Sequence, residues 1–130
     1  MWEMSLIVLK AFVLCDEIAV KPGSDDQLNL QGAGLSRIDS SAPFPLRFSF
    51  WAFVQLSDVK ATGKATLAIM RADSGRRYFF RSVTVRHSNA LNGTPFCIRV
   101  FDCILPTKGV YFVELWYDGE WIVDQRLEVT

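Results

Sequence analysis

The sequence predicts an all-β fold: a single-domain antiparallel β-sandwich over residues 1–130, with about eight strands, immunoglobulin-like or jelly-roll-like. Three observations lead there. Apolar residues alternate with polar ones at period two along many short runs, the mark of strands with one face in a core. Gly, Pro, Asn and Asp punctuate those runs at short spacing. No segment sustains a helical period with capping residues. A sandwich is preferred to a barrel because several strands keep one polar face and no motif calls for a ligand-holding barrel.

The first strand is placed at Leu6–Cys15, possible continuation reaching Val20. The run from Ser5 to Cys15 is apolar enough to resemble a signal segment, but Glu3 precedes it, Lys10 interrupts it and Leu14 stands before Cys15. It is also well short of the ~20 residues of a membrane span. It reads as a strand buried on both faces. Lys21–Asp26 is a turn-rich loop, and a second strand, Gln27–Ile38, is interrupted by Gly32 and Gly34, which signals a bulge or a close backbone approach. Ser40–Pro45 is an extended connection. In Leu46–Leu56 the residues Leu46, Phe48, Phe50, Ala52, Val54 and Leu56 point one way, and Arg47, Ser49, Trp51, Phe53 and Gln55 the other. Strands at Ala65–Ala72, Arg77–Arg86 and Phe96–Leu105 follow, joined by Asp73-Ser74-Gly75 and by a loop from His87 to Pro95.

The closing segment, Gly109–Val129, holds Asp118-Gly119 between two alternating runs, a strong hairpin signal. A two-residue turn leaves each face mixed in polarity. A three-residue loop, Tyr117-Asp118-Gly119 with Gly119 left-handed, gives a cleaner partition. Tyr111, Val113, Leu115, Trp121, Val123, Gln125, Leu127 and Val129 then share the core face. Phe112, Trp116 and Ile122 fall on an otherwise charged face with Glu114, Glu120, Asp124, Arg126 and Glu128.

Half of the 130 residues are apolar and formal net charge is zero. The chain is long enough for one substantial core, which excludes disorder. Lack of a basic excess argues against nucleic acid as the main partner, and near-zero charge favours self-association. Cys15, Cys97 and Cys103 have neither disulfide-framework nor zinc spacing. They read as buried, reduced thiols of a cytoplasmic protein.

Three stretches together, AFVLCDEI at 11–18, PFPLRFSFW at 43–51 and GVYFVELWYDGEW at 109–121, carry a resemblance. The pattern is similar to a family of small bacterial all-β proteins described only as a domain of unknown function. The matching positions are Leu14-Cys15-Asp16, Phe44-Pro45, and Gly109, Tyr111, Asp118 and Gly119. The resemblance implies a single-domain β-sandwich and no activity.

Chemistry-bearing residues are sparse. His87, the only histidine, sits before a polar loop and reads as a surface residue. Asp16, Glu17, Asp25 and Asp26 lack the fixed spacing of a calcium loop and read as solvated. Arg71, Arg76, Arg77, Arg81 and Arg86 crowd one hairpin, where they either form an anion-binding patch or protect a sheet edge. No nucleophile–base order, phosphate loop or metal motif occurs, so no catalytic residue, metal or cofactor is assigned. Surface-parity aromatics remain: Phe112, Trp116 and Ile122, with Trp51 and Phe53. The expected function is therefore a non-catalytic binding or assembly module, acting through an aromatic sheet face on a protein partner or on a second copy. A two-fold homodimer is the default form, and neither nucleic acid nor membrane is an expected partner. The alternative is a ligand-binding module for carbohydrate or an anionic group.

Overall fold

A computed structural model describes residues 7–20, 28–40, 43–87 and 95–130. Its strands are β1 (Val8–Cys15), β2 (Glu17–Val20), β3 (Leu28–Gln31), β4 (Arg37–Ile38), β5 (Leu46–Ser57), β6 (Thr62–Arg71), β7 (Arg77–Arg86), β8 (Phe96–Leu105), β9 (Gly109–Tyr117) and β10 (Glu120–Val129). A three-stranded sheet runs β1-β5-β8, a five-stranded sheet runs β4-β10-β9-β6-β7, and β2 and β3 make a separate ribbon. The loop expected at Lys21–Asp26, and Asn92-Gly93, lie outside the described residues. No helix among the described residues is long and apolar enough to cross a membrane.

The two large sheets form an antiparallel β-sandwich whose shared core includes Phe50, Val54, Leu67, Ile69, Ile98 and Val113. Alternation explains which side chains enter it. In β5, Phe50, Ala52, Val54 and Leu56 are buried while the intervening residues are only partly covered. In β9, Tyr111, Val113, Leu115 and Tyr117 are buried by the same rule. β1 departs from expectation. It is an edge strand beside β5 alone, so Val8, Leu9 and Lys10 are exposed and only Leu14 and Cys15 are buried. The segment read as one strand around Gly32 and Gly34 is divided. Both glycines have positive φ in the link between β3 and β4, and β4 lies parallel to β10.

The closing hairpin also departs from expectation. Asp118 and Gly119, with φ of 49° and 80°, make a two-residue turn that pairs Tyr117 with Glu120 and Trp116 with Trp121. Ile122 is the extra residue of a bulge, after which Val123 pairs with Leu115. The parity change expected in the loop takes place within β10 instead. Beyond the bulge the expected faces stand, with Val113, Gln125, Tyr111 and Leu127 on one side and Phe112 and Arg126 on the other. Before it, Trp121 moves to the outer face, and Ile122 is half-buried against the core. The turn is held by the neighbouring strand: Lys64 N–H donates to the Asp118 carboxylate and Asp118 N–H to the Lys64 carbonyl, both at 2.8 Å.

Between β8 and β9 the chain is locked by a tyrosine corner, the device by which sandwiches fix the crossing between sheets. Tyr111 is fully buried and its hydroxyl donates to the Thr107 carbonyl at 2.7 Å. Arg71 donates to that hydroxyl at 3.1 Å, to Thr107 Oγ1 at 2.6 Å, to the Lys108 carbonyl at 3.2 Å and to Asp73 at 2.8 Å. Gly109 sits beneath this guanidinium at φ +147°, where an added Cβ would lie 2.7 Å from Arg71 Nη2. Gly109→Ala is therefore expected to destabilise the fold by about 1–3 kcal/mol through backbone strain alone, with the displaced arginine adding to it. A lowered urea midpoint at unchanged m-value checks this, and an unchanged midpoint would show that the corner tolerates a side chain.

Candidate functional site: the outer face of the five-stranded sheet

Four central and edge strands, β10-β9-β6-β7, build this face, and their pairing sets its rows. Trp121, Trp116, Thr66 and Ser82 form one row across the sheet. Asp124, Glu114, Ala68 and Phe80 form the next, and Arg126, Phe112, Met70 and Arg77 the third. In the first row bulky indoles thus stand on β9 and β10 while β6 and β7 present a threonine and a serine; in the second, β6 presents an alanine beside Phe80. The step down creates a cleft of about 280 Å³ lined by Lys64, Thr66, Ala68, Arg77, Phe80 and Trp116. Phe80 and Trp121 are 56% and 49% exposed, unusual for aromatic rings of this size. The Arg77 guanidinium lies over the Phe80 ring, 4.9 Å from its centroid, which places it in the row of Asp124.

Charge is divided across the face. Lys64, Arg77 and Arg86 stand on β6 and β7, and Glu114, Asp124 and Glu128 on β9 and β10, where Arg126 is ion-paired to Glu128 at 3.3 Å. Of the aromatic set singled out in the sequence, Phe112 and Trp116 belong here. Trp51 and Phe53 do not. They lie on the outer face of the three-stranded sheet, paired with Arg99 and Cys97 of β8. Strand parity alone does not reveal which of two sheets a surface residue occupies. Phe80 and Trp121 escaped the sequence reading, Phe80 because Tyr78-Phe79-Phe80 has no period and Trp121 because the bulge follows it.

The arginines do not form one patch. Arg71 is committed to the tyrosine corner. Arg76 stacks over Tyr78 at 5.6 Å, and Arg77 belongs to the face just described. Arg81 reaches the Arg99 carbonyl at 2.9 Å, and Arg86 is exposed at the end of β7 opposite Thr62. A β-strand sends successive side chains to opposite faces, and the bulge at Tyr78 spreads them further.

His87 is buried, contrary to its reading as a surface residue. Its backbone donates to the Ala61 carbonyl at 2.7 Å, and its Nε2 lies 3.2 Å from the Tyr117 hydroxyl. Phe96 packs edge-on against the imidazole. Among the described residues no three His, Cys, Asp or Glu side chains gather as metal ligands, and Asp16 and Glu17 are exposed. Asp25 and Asp26 lie outside the described residues. Cys15, Cys97 and Cys103 are all free thiols. Burial raises the pKa of each, Cys103 to about 12, with Asp16 adding to the rise at Cys15. Burial, then the neighbouring Asp118, raises that of Tyr117.

A family model matches residues 10–130, and the chain belongs to that family, the family of unknown function DUF6941. No curated protein matches the sequence. Among solved structures, an immunoglobulin-like protein from Pseudomonas aeruginosa aligns with a TM-score of 0.50 at 13% identity, over 95% of this chain and 96% of that one. The likeness shows the fold. The alkylpurine DNA glycosylase AlkC of Pseudomonas fluorescens aligns at 0.43 and 15% identity, over 91% of this chain and 30% of that one. A β-D-glucoside glucohydrolase of Trichoderma reesei aligns at 0.46 and 9% identity, over 97% and 19% respectively.

The thiols generate a pH prediction. A raised pKa means that the folded state keeps its proton while the unfolded chain ionises, so this stability is complete below pH 9.0, the ordinary thiol value, and is lost above it. Unfolding free energy is expected to fall by up to about 1.4 kcal/mol per pH unit from Cys103 alone as pH rises towards its folded value, and Cys15, Cys97 and Tyr117 act in the same direction. Urea titrations from neutral to alkaline pH check this, with Cys103→Val expected to flatten the slope and an equal slope in that variant contradicting it.

Proposed function

We propose that this member of the family is a non-catalytic assembly module that pairs with a second copy of itself through the outer face of the five-stranded sheet. The observation that carries the proposal is the complementarity of this face to itself. A two-fold axis lying in the interface and running along the strands between β9 and β6 lays β10 of one copy over β7 of the other, and β9 over β6. Both indoles then meet small residues: Trp121 opposes Ser82 of the second copy, Trp116 opposes Thr66, and the cleft over β6 receives an indole, while Phe80 meets Asp124 and Phe112 meets Met70. The same operation sets the Arg77 guanidinium, drawn over Phe80, against Asp124, while Arg126, in the row of the Arg77 backbone, is engaged by Glu128. Closed two-fold pairing needs only one such patch. Aromatic anchors in pockets dominate the energetics of interfaces of this kind, and opposed charges fix the register.

Such a module needs no acid, base and nucleophile set, and none converges on the face. The zero formal net charge of the chain removes long-range repulsion between copies. Cytoplasmic location is part of the same proposal, supported by three free cysteines.

Sedimentation velocity over a wide concentration range tests the reading. The wild type is expected to sediment as a dimer that dissociates on dilution. Trp121→Ser and Trp116→Ser are each expected to shift it to monomer with an unchanged circular dichroism spectrum, because both rings lie outside the domain core. A wild type that stays monomeric at the highest concentration reached would overturn the proposal.

A further inference from the structure

Where the two sheets adjoin, at the edges β7 and β8, lies a second cleft that the assembly face leaves untouched. It has a volume of about 440 Å³ and is lined by Trp51, Arg81, Val83, Cys97, Arg99 and Phe101. Arg81 pairs with Leu67 and so has core-facing parity, yet it is exposed, because at this edge its side chain reaches around to β8. Its Nη1 donates to the Arg99 carbonyl at 2.9 Å. The Arg99 guanidinium is held against two aromatic faces, 5.6 Å from the Trp51 centroid and 4.8 Å from that of Phe101. Both arginines line the cleft, one anchored on a backbone carbonyl and the other on two rings. No carboxylate lines the cleft, and neither arginine makes an ion pair with any described residue.

Two cationic side chains lining one cleft with no carboxylate among its walls favour an anion there, and an oxyanion meets them with charge-assisted hydrogen bonds. The stacked guanidinium is already oriented, so little freedom is lost on binding. Trp51 and Phe101 add flat apolar surface, in the combination of apolar wall and few polar groups common in small-molecule sites.

We infer that this seam binds a small organic oxyanion, a carboxylate or phosphate ester attached to a flat apolar group. The inference is independent of self-association, since the seam and the outer face of β10-β9-β6-β7 share none of these lining residues.

Isothermal titration calorimetry with phenyl phosphate, benzoate, inorganic phosphate and benzyl alcohol tests it. One or both aromatic anions are expected to bind saturably and to distinguish the ester from the carboxylate. Inorganic phosphate is expected to bind more weakly, and benzyl alcohol not at all. Arg81→Gln and Arg99→Gln are each expected to weaken binding by roughly tenfold, and added salt to weaken it in the wild type. Arg77→Gln, on the outer face of the five-stranded sheet, is expected to leave it unchanged. Absence of saturable binding by either aromatic anion would overturn the inference. So would undiminished affinity in the Arg81→Gln/Arg99→Gln double variant with a native circular dichroism spectrum, or equal affinity for inorganic phosphate.

Discussion

One extra residue in β10 governs the surface of this protein. Because side chains alternate along a strand, inserting Ile122 opposite Leu115 and Trp116 reverses the parity of everything that precedes it relative to everything that follows. Val123, Leu127 and Val129 therefore face the core, and Trp121 does not. Without the bulge, the two-residue turn would carry Asp124 and Arg126 inward opposite Val113 and Tyr111. With it, the charges stay outside and an indole joins them. The pair of hydrogen bonds between Asp118 and Lys64 holds the turn in its two-residue form and ties it to β6. The indole pair on the outer face is thus a consequence of keeping a core apolar: the residue that moves outward is the aromatic one nearest the turn.

The unequal widths of the sheets produce the second feature. Three strands cannot cover five. At β7 the larger sheet meets the open edge of β8, and an inward-pointing arginine occupies a position where a hydrophobic residue would meet solvent. Inward charges of this kind also discourage edge-to-edge pairing with other chains. Arg81 serves that end while bonding a carbonyl on the exposed edge of β8. At the end of β6, Arg71 is buried in part and engaged by the tyrosine corner and by Asp73. Two arginines that look equivalent in the sequence thus make different contacts, one within the tyrosine corner and one across the edge of β8.

Much of the fold is legible in the sequence, and the physical reason is local. β5 and β9 follow from alternation, and β7, β8 and β10 from the turn residues that bound them, since each strand carries its own evidence. Tyr111 is placed on the core face by parity, without sign of the corner it forms, and Phe112 and Trp116 emerge from parity on the opposite face. What is not legible depends on contacts between strands distant in sequence. Whether the additional residue of the closing hairpin sits in the loop or in the strand is decided by Lys64, some fifty residues away, which bonds Asp118. That His87 is buried follows from Tyr117 and Phe96 closing over it. The separation of Trp51 and Phe53 from Phe112 and Trp116 is a matter of sheet order, and so is the meeting of Trp51 with Arg81, Arg99 and Phe101. Two residues of β4 add a parallel pair to β10 that no period could announce.

The central claim, that the face of β10-β9-β6-β7 is complementary to itself about a two-fold axis, is tested most directly by charge exchange between separate chains. Arg77→Glu and Asp124→Lys each place like charges together at both symmetry-related contacts of a homodimer. Mixed in equal amounts, the two variants restore an opposite-charge pair at each contact. Native mass spectrometry of each variant alone and of the mixture should show monomers for either one and a one-to-one heterodimer for the two together. Two folded variants that each dimerise as the wild type does, or a mixture that stays monomeric, would contradict it.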